Sequence, residues 1–201
     1  MLLAQQKPKA VRPTSGTMFP FRLNEEVSLE LLDLRHAEEL FRVTDANREQ
    51  LRKWLPWVDG SQSAEDTRAF IRCTRKQLLD DNGFQAVIRV RGVLAGVVGH
   101  HGINWANRST SLGYWLSKGA QGRGIMTDAC RAFTGHAFGA LDLNRVEIRC
   151  ATENGKSRAI PARLRFTREG TVREEEWLHD HFVDHVVYGM LASKWGTDGA
   201  A

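Results

Sequence analysis

The stretch Gln121-Gly122-Arg123-Gly124-Ile125-Met126-Thr127 is a glycine-rich turn between two segments with different periodicities. Residues 111–116 before it have the pattern of a strand, and Ala129, Phe133 and Ala137 after it share one face of a helix. The first N–H groups of a helix lack intrahelical partners and lie at the positive end of its dipole. Because an anion such as a pyrophosphate can fill them, we expect the turn to bind a phosphorylated cofactor.

This glycine turn is by itself compatible with two interpretations. Such a turn often supplies only the backbone conformation of a tight bend. Here Gly122 and Gly124 bracket Arg123 at a helix start, and the small residues Thr127 and Ala129 follow, which favours close approach of a ligand. The turn lacks both the Gly-Lys-Ser/Thr of a Walker loop and the third glycine of the dinucleotide-binding fingerprint.

The composition of the chain indicates one folded domain. Its 201 residues are enough for a full core, and 42% hydrophobic with 26% charged residues is ordinary for a globular protein. No apolar run approaches the ~20 residues of a membrane helix, and the first residues do not resemble a signal peptide. The net charge of +4 is too diffuse for a nucleic-acid site. We therefore expect neither a membrane nor a nucleic acid as partner.

Cysteine usage bears on the compartment of the protein. Cys73, Cys130 and Cys150 are far apart in the chain and odd in number. This pattern does not fit a disulfide framework. It indicates a reducing compartment, and we expect a cytoplasmic protein.

The order of predicted elements indicates a single α/β (α+β) domain at residues 19–195. Residues 1–18 are polar and proline-containing, and we interpret them as a flexible tail or a remnant of expression. Residues 196–201 are expected to be a flexible C-terminus. Between them, a strand and helices precede a β-hairpin at residues 84–100 and a third strand, and the chain then alternates and closes with a hairpin. This order predicts a mixed sheet.

Six further stretches carry a family pattern together with the glycine turn. They are Leu55-Pro56-Trp57, Gly113-Tyr114-Trp115-Leu116, Leu143-Asn144-Arg145-Val146-Glu147, Glu153-Asn154-Gly155-Lys156-Ser157-Arg158-Ala159-Ile160-Pro161, Phe166-Thr167-Arg168-Glu169-Gly170 and Asp184-His185-Val186-Val187-Tyr188. In this order, along residues 21–195, they resemble the GNAT superfamily of acetyl-CoA-dependent N-acetyltransferases. Within it they resemble the RimJ/RimL branch, which acetylates N-terminal amines of ribosomal proteins. The resemblance implies a mixed, mostly antiparallel sheet of six to seven strands, flanked by about four helices.

The resemblance also implies acetyl-CoA as co-substrate. The residues implied in binding it are Trp115, Leu116, Ser117, Gln121, Gly122, Arg123, Gly124, Ile125, Met126, Asn154 and Ser157. The pyrophosphate would lie on the glycine turn, and backbone N–H groups at the strand end would polarise the thioester carbonyl. Asn154 would bind the pantetheine or position solvent, and Ser157 would protonate or hydrogen-bond the leaving thiolate. The amine would attack the thioester directly, without an acyl-enzyme.

Glu176 has the position of the carboxylate that serves as general base in RimL-like enzymes. An α-amino group has a pKa near ~8, so a modest base or a chain of waters suffices. Glu176 ends the charge run at residues 173–176, and such runs are often a solvated face. The following Trp177 and Leu178 favour a buried, functional carboxylate. The sequence leaves both interpretations open.

Three positions depart from the family pattern. Ala162 and Arg165 stand where relatives usually have Glu and Gly, in Pro-Glu-Arg-Leu-Gly-Phe. That glycine normally permits a left-handed turn between helix and strand, so Arg165 predicts either local strain or a different turn. Gly119 occupies the first position of the Gln/Arg-x-x-Gly-x-Gly/Ala pattern, which varies in this branch.

The acceptor side is the least specified part of the sequence. Trp54 and Trp57 flank Pro56 between the first helices, a region that lines the acceptor groove in this branch, although half-buried tryptophans are often core. His100 and His101 close a predicted strand that faces the acceptor side in the family, and we expect one of them, His100, to touch the substrate; the alternative is a simple strand end. The histidines at residues 179–185 have no cysteine partner at zinc spacing, and we expect no metal.

The resemblance therefore implies an enzyme that transfers acetyl from acetyl-CoA to a primary amine, and we expect the amine to be a protein N-terminal α-amino group of the ribosomal-protein-serine type. One alternative is the same chemistry on a small amine such as an antibiotic, a toxin or a polyamine. Another is a CoA-binding module without turnover, which Ala162 and Arg165 keep open. The resemblance also implies a homodimer.

Overall fold

In the computed structural model, residues 19–196 are described and form one eight-stranded sheet with five α-helices. The strands are β1 Phe21–Arg22, β2 Val27–Leu31, β3 Gly83–Val90, β4 Val93–Asn104, β5 Ser109–Leu116, β6 Arg145–Ala151, β7 Thr167–Leu178 and β8 His181–Leu191. The helices are α1 Ala37–Ala46, α2 Arg48–Arg52, α3 Ala64–Leu79, α4 Ile125–Gly139 and α5 Gly155–Arg163. None of the helices in the described range is long and apolar enough to cross a membrane. The predicted tail at residues 1–18 and nearly all of the predicted segment 196–201 lie outside that range.

The sheet order is β1-β2-β3-β4-β5-β6-β8-β7. All neighbours are antiparallel except β5 and β6, which are parallel and joined through α4. The expected mixed, mostly antiparallel sheet is therefore confirmed. It has one strand more than expected because β1 contains only two residues, too few for an alternating pattern to reveal. The additional helix beyond the expected four is also short, since α2 has five residues.

Each face of the sheet is covered by its own group of helices. Apolar residues of α4 and α5 pack into one cluster on the first face, among them Ala129, Phe133 and Ile160. Residues of α1 and α3 pack on the second face against β3 and β4, where Val87 and Val97 belong to a separate cluster. Ser63 caps the start of α3, since its hydroxyl accepts the Asp66 N–H at 3.2 Å.

The strands β5 and β6 are paired only where they begin. Their register runs from Ser109 opposite Arg145 to Ser111 opposite Glu147. Beyond these pairs β5 continues to its last residue, Leu116, while β6 runs on without pairing to it. The two strands diverge and leave a wedge in the middle of the sheet, here named the β5–β6 cleft. The glycine turn follows the open end of β5, so the fold places the turn beside the cleft.

Candidate active site

The glycine turn presents the start of α4 at the end of the β5–β6 cleft. Gly122 and Gly124 have φ values of 78° and 77°. A Cβ at either position would meet no atom within 4 Å, so glycine is required by the left-handed backbone and not by lack of space. Gly124 is the N-cap residue, and among residues 19–196 no side chain caps the helix start. The first N–H groups of α4 therefore suit an anion.

Side-chain contacts connect the turn to the end of β5, to α5 and to the residue before β2. Gln121 Nε2 donates to the Leu116 carbonyl oxygen at 3.0 Å, and Lys156 Nζ donates to Gln121 Oε1 at 3.3 Å. Arg123 forms an ion pair with Glu26 at 2.9 Å. The charge of Arg123 is thus already shared with a carboxylate, and the main-chain N–H groups are the chief donors that the turn offers.

The main-chain N–H groups at the end of β5 point in two opposite directions. The Ser117 N–H donates to the Ala95 carbonyl oxygen at 2.7 Å. In an antiparallel pair the N–H groups alternate in direction, so that of Trp115 also points to β4. The N–H groups of Leu116 and Tyr114 point the other way, into the β5–β6 cleft. Only one of the three expected residues therefore offers a main-chain donor to the cleft, and Tyr114 supplies a second that the sequence did not reveal.

Three side chains meet across the β5–β6 cleft. The Tyr114 hydroxyl donates to the Ser157 carbonyl oxygen at 3.1 Å, and Ser157 Oγ lies 3.3 Å from the Tyr114 hydroxyl and 3.2 Å from Cys150 Sγ. Asn154 is the N-cap of α5, and its Oδ1 accepts the Ser157 N–H at 3.1 Å. The structure thus brings Asn154 and Ser157 together as expected. Asn154 fixes the backbone of Ser157, and β5 adds a phenol to the same place.

Burial keeps the groups of this cluster neutral. Desolvation raises the pKa of the Tyr114 phenol well above its ordinary value, and the neighbouring Cys150 raises it further. Desolvation also raises the pKa of the Cys150 thiol, which is free and only 4% exposed. A neutral buried thiol is a poor nucleophile. The cluster therefore offers hydrogen-bond donors, which favours direct transfer without an acyl-enzyme.

An aromatic pair lies on the opposite face of the sheet, at the end of β5. The rings of Trp57 and Trp115 are 6.3 Å apart between centroids and tilted by 49°. Arg48 holds the 3₁₀ turn Pro56–Gly60 in place by donating to two carbonyl oxygens at 2.7 and 2.6 Å. Trp57 is 43% exposed, whereas Trp54 is partly buried. Trp57 is thus the better placed of the two predicted tryptophans to meet a substrate.

The turn between β7 and β8 is attached to the segment that carries Trp57. His179 Nε2 lies 2.7 Å from the Arg52 carbonyl oxygen, and its Nδ1 lies 3.0 Å from the Asp59 carboxylate. Arg52 and Asp59 are themselves paired at 2.7 Å. This contact joins residues 127 positions apart in the chain, so no local sequence pattern signals it. It attaches the β7–β8 hairpin to the end of α2 and to the turn that carries Trp57.

The charge run at residues 173–176 is not a simple solvated face. Glu175 pairs with Arg149 of β6. Glu176 Oε2 lies 3.3 Å from His185 Nε2, and the Glu176 side chain is only 33% exposed. Glu175 is therefore directed to a guanidinium group, and Glu176 is directed to an imidazole.

Strand alternation places Glu176 and His185 on the face of the sheet opposite α4 and α5. Val186 and Tyr188 of β8 are buried in the cluster with α4 and α5, so His185 points to the other face. His185 is directly opposite Ala151 of β6, the residue that follows Cys150. His185 therefore lies one strand away from β6, the wall of the β5–β6 cleft, and Glu176 lies on the next strand, β7.

His100 lies in the core and not on the face of the sheet that carries Trp57 and Trp115. Its side chain is 0% exposed, and the ring centroids of Phe84 and Phe133 are 5.0 and 5.1 Å away. Neither ring nitrogen has a hydrogen-bond partner within residues 19–196, and desolvation lowers the His100 pKa to about 3. The expected substrate contact is therefore corrected. Strand alternation sends the exposed His101 to the opposite face instead.

Arg165 adopts the left-handed turn in which relatives usually have glycine. Its φ is 60°, and its N–H donates to the Ala162 carbonyl oxygen at 3.0 Å. Of the two expected outcomes, local strain or a different turn, the structure has the strained left-handed turn. The loop between α5 and β7 thus keeps the conformation that glycine would give it.

Comparisons with known proteins show which family and which relatives this chain is similar to. Residues 26–167 match the family described as Acetyltransferase (GNAT) domain. The chain is 37% identical over 179 residues to YdaF of Bacillus subtilis (strain 168), named provisionally as a ribosomal N-acetyltransferase, with 89% of this chain and 98% of YdaF covered. It is 27% identical over 172 residues to the ribosomal-protein-serine acetyltransferase of Escherichia coli (strain K12), with 85% and 95% covered.

A solved structure extends the similarity to the fold. RimL, the ribosomal L7/L12 alpha-N-protein acetyltransferase in complex with coenzyme A, superposes with a TM-score of 0.82 at 26% identity. The superposition covers 85% of this chain and 96% of the RimL chain.

Proposed function

The chain belongs to the GNAT family of acetyltransferases, and from this premise we propose that it acetylates the α-amino group of a protein N-terminus. The single observation that carries the proposal is the β5–β6 cleft, with an uncapped helix start at one end and the donors of Tyr114 and Ser157 at the other. The similarity to ribosomal-protein acetyltransferases supports an acceptor of the ribosomal-protein-serine type.

Acetyl-CoA supplies an activated thioester and a thiol leaving group, and the residues of the cleft suit it. The uncapped start of α4 suits a pyrophosphate. The N–H groups of Tyr114 and Leu116 point into the cleft, where they would donate to the thioester oxygen. Trp115 and Ser117 support this arrangement indirectly, because their N–H groups pair β5 with β4 and hold it in place.

Ser157 and Tyr114 would act at the leaving sulfur. Their hydroxyl oxygens are 3.3 Å apart on the two walls of the cleft. Because burial raises the Tyr114 pKa, the phenol keeps its proton and remains a donor. If the phenol turns its proton from the Ser157 carbonyl to the sulfur, two neutral hydroxyls can stabilise the departing thiolate by hydrogen bonds, without transferring a proton and without a charged acid.

Glu176 would receive the proton of the attacking amine, directly or through a water. The α-amino pKa near ~8 is only slightly above neutral pH, so a partly exposed carboxylate is a sufficient base. The exposed ring of Trp57 would pack against the first residues of the acceptor chain. Direct attack leaves no covalent enzyme intermediate, which fits the neutral, buried state of Cys150.

Release of the CoA thiol tests this function. We expect release from acetyl-CoA with peptides that begin with Ser, Ala or Thr, and none with the same peptides already acetylated at the N-terminus. Spermidine and other small amines form the competing arm. Thiol release with small amines alone would show that the acceptor is a small amine and not a protein N-terminus. Measurable CoA binding without release by any amine would instead indicate a CoA-binding module.

We further propose that the protein works as a cytoplasmic homodimer. The free thiols of Cys73, Cys130 and Cys150 support a reducing compartment, and the RimJ/RimL resemblance supports the dimer. Light scattering at micromolar concentration should give twice the chain mass of 22.7 kDa. A mass equal to one chain would contradict the dimer.

A further inference from the structure

A bulge in β7 sets the direction of Glu176. The register with β8 changes between Val172 and Glu176, where residues 173–175 of β7 lie opposite the single residue Asp184 of β8, so β7 has two extra residues. Glu174 has a left-handed φ of 51°, and its N–H donates to Asp184 Oδ1 at 2.9 Å, which anchors the bulge. Bulges of this kind re-aim side chains near active sites. Here the side chain that follows the bulge is the candidate base.

His185 is the group toward which Glu176 is aimed. Its Nε2 lies 3.3 Å from Glu176 Oε2, and its side chain is only 14% exposed. His185 belongs to β8, which is flanked by β6 on one side and β7 on the other, with Ala151 and Val172 as its direct partners. A side chain in the middle of three strands has a fixed position, whereas Glu176 extends from the edge strand. The fixed imidazole can therefore orient the carboxylate.

The neighbouring carboxylates do not compete for this imidazole. Glu175 pairs with Arg149, and Arg149 also pairs with Glu147 at 2.6 Å. His181, which lies on the same face of β8, pairs with Asp180 at 2.7 Å. The contact between the imidazole and the carboxylate is thus specific to one pair.

We propose that His185 is a positioning residue for Glu176. It holds one carboxylate oxygen so that the other faces the attacking amine beside the β5–β6 cleft. The role rests on the proposed function, since it requires an amine that loses its proton to Glu176. His185 itself does not touch the substrate, and its effect passes through the carboxylate.

Steady-state thiol release with a Ser-starting peptide tests the role. His185→Leu fills the same space without a polar atom, and we expect it to lower kcat about tenfold or more while KM for both substrates stays within about twofold. His185→Gln can place an amide nitrogen near the carboxylate and should restore most of kcat. Since the imidazole acts through Glu176, His185→Leu should have little further effect in a Glu176→Gln background.

The matched control is His181→Leu, on the same strand and face, which should turn over like the wild type. Thermal unfolding and acetyl-CoA affinity of each variant check that the fold is intact. Wild-type kcat in His185→Leu, or equal losses in both backgrounds, would overturn the positioning role. Unchanged kcat in Glu176→Gln would overturn both the base role of Glu176 and the positioning role of His185. The proposed acetyl transfer would not be affected by that result. Absence of thiol release by the wild type with any amine would overturn the proposed function itself.

Discussion

Replacing His100 by leucine should make the protein less sensitive to acid without affecting the acceptor site. His100 is fully buried between Phe84 and Phe133, and its ring nitrogens have no partner among the described residues. Such a site accepts only the neutral imidazole, because a buried unpaired charge is strongly unfavourable. Leucine has nearly the same volume and cannot ionise, so the substitution isolates the effect of the proton.

The magnitude follows from the pKa of His100, which burial lowers from 6.5 to about 3. Below pH 6.5 the unfolded chain binds a proton at this histidine, whereas the folded protein stays neutral there down to about pH 3. The unfolded state therefore binds more protons in this window, and stability falls as the pH falls, by up to ~1.4 kcal/mol per pH unit. At pH 5 the loss is about 2 kcal/mol, a large part of a typical free energy of unfolding of about 5–15 kcal/mol.

Urea unfolding followed by tryptophan fluorescence between pH 8 and pH 5 measures this loss. The wild type should lose about 2 kcal/mol more than His100→Leu over this range, which is about 1 M in urea midpoint for a slope of ~2 kcal/mol per M. Burial also lowers the pKa of His136, so the variant keeps part of the acid sensitivity. The exposed His181 is the control, and His181→Gln should follow the wild type.

Two results would refute the reasoning about His100. If the curves of wild type and variant run parallel from pH 8 to pH 5, the imidazole does not titrate as a buried neutral group. If His100→Leu instead raises KM for the peptide at pH 8 with unchanged stability, the histidine touches the acceptor after all. The structure predicts an unchanged KM, because the side chain lies on the face covered by α4.

Further predictions concern the two ends of the cleft and its rim. Tyr114→Phe should lower kcat about tenfold or more with unchanged acetyl-CoA affinity, since one donor to the sulfur is lost; wild-type thiol release would exclude that role. Gly124→Ala should destabilise the protein by about 1 kcal/mol through its left-handed φ and weaken CoA binding in calorimetry; equal affinity would argue against pyrophosphate at this turn. Arg165→Gly should raise stability by up to about 1 kcal/mol in thermal unfolding, and a lower melting temperature would contradict strain at this turn. His179→Ala frees the hairpin from α2 and should raise the peptide KM more than that of acetyl-CoA; equal changes in both would place its effect elsewhere.

Much of the fold could be predicted because it depends on patterns among residues that are close together in the sequence. The hairpin of β3 and β4 and the glycine turn each depend on residues that are close together in the chain. The same holds for the pair of Asn154 and Ser157, which are joined by the cap of one helix. The motif order added the family and with it the parallel crossover through α4.

The parts of the candidate site that escaped prediction depend on contacts between distant segments. His100 and His101 are adjacent, and only the packing of α4 against one face decides which of them is buried. Tyr114 reaches Ser157 across 43 positions of chain. This contact depends on the divergence of β5 and β6, which only the tertiary structure shows.

The sequence by itself determined which elements form, where the glycine turn lies and which family carries such a turn, because these depend on backbone conformation and short-range spacing. Tertiary structure alone decided which side chains meet. A one-residue step along a strand reverses the face of every side chain, and a bulge such as that at residues 173–175 changes the direction again. The pairing of Glu176 with His185, the burial of His100 and the attachment of His179 to α2 all follow from such steps. No local pattern records them, since the partners are brought together only by the packing of the whole sheet.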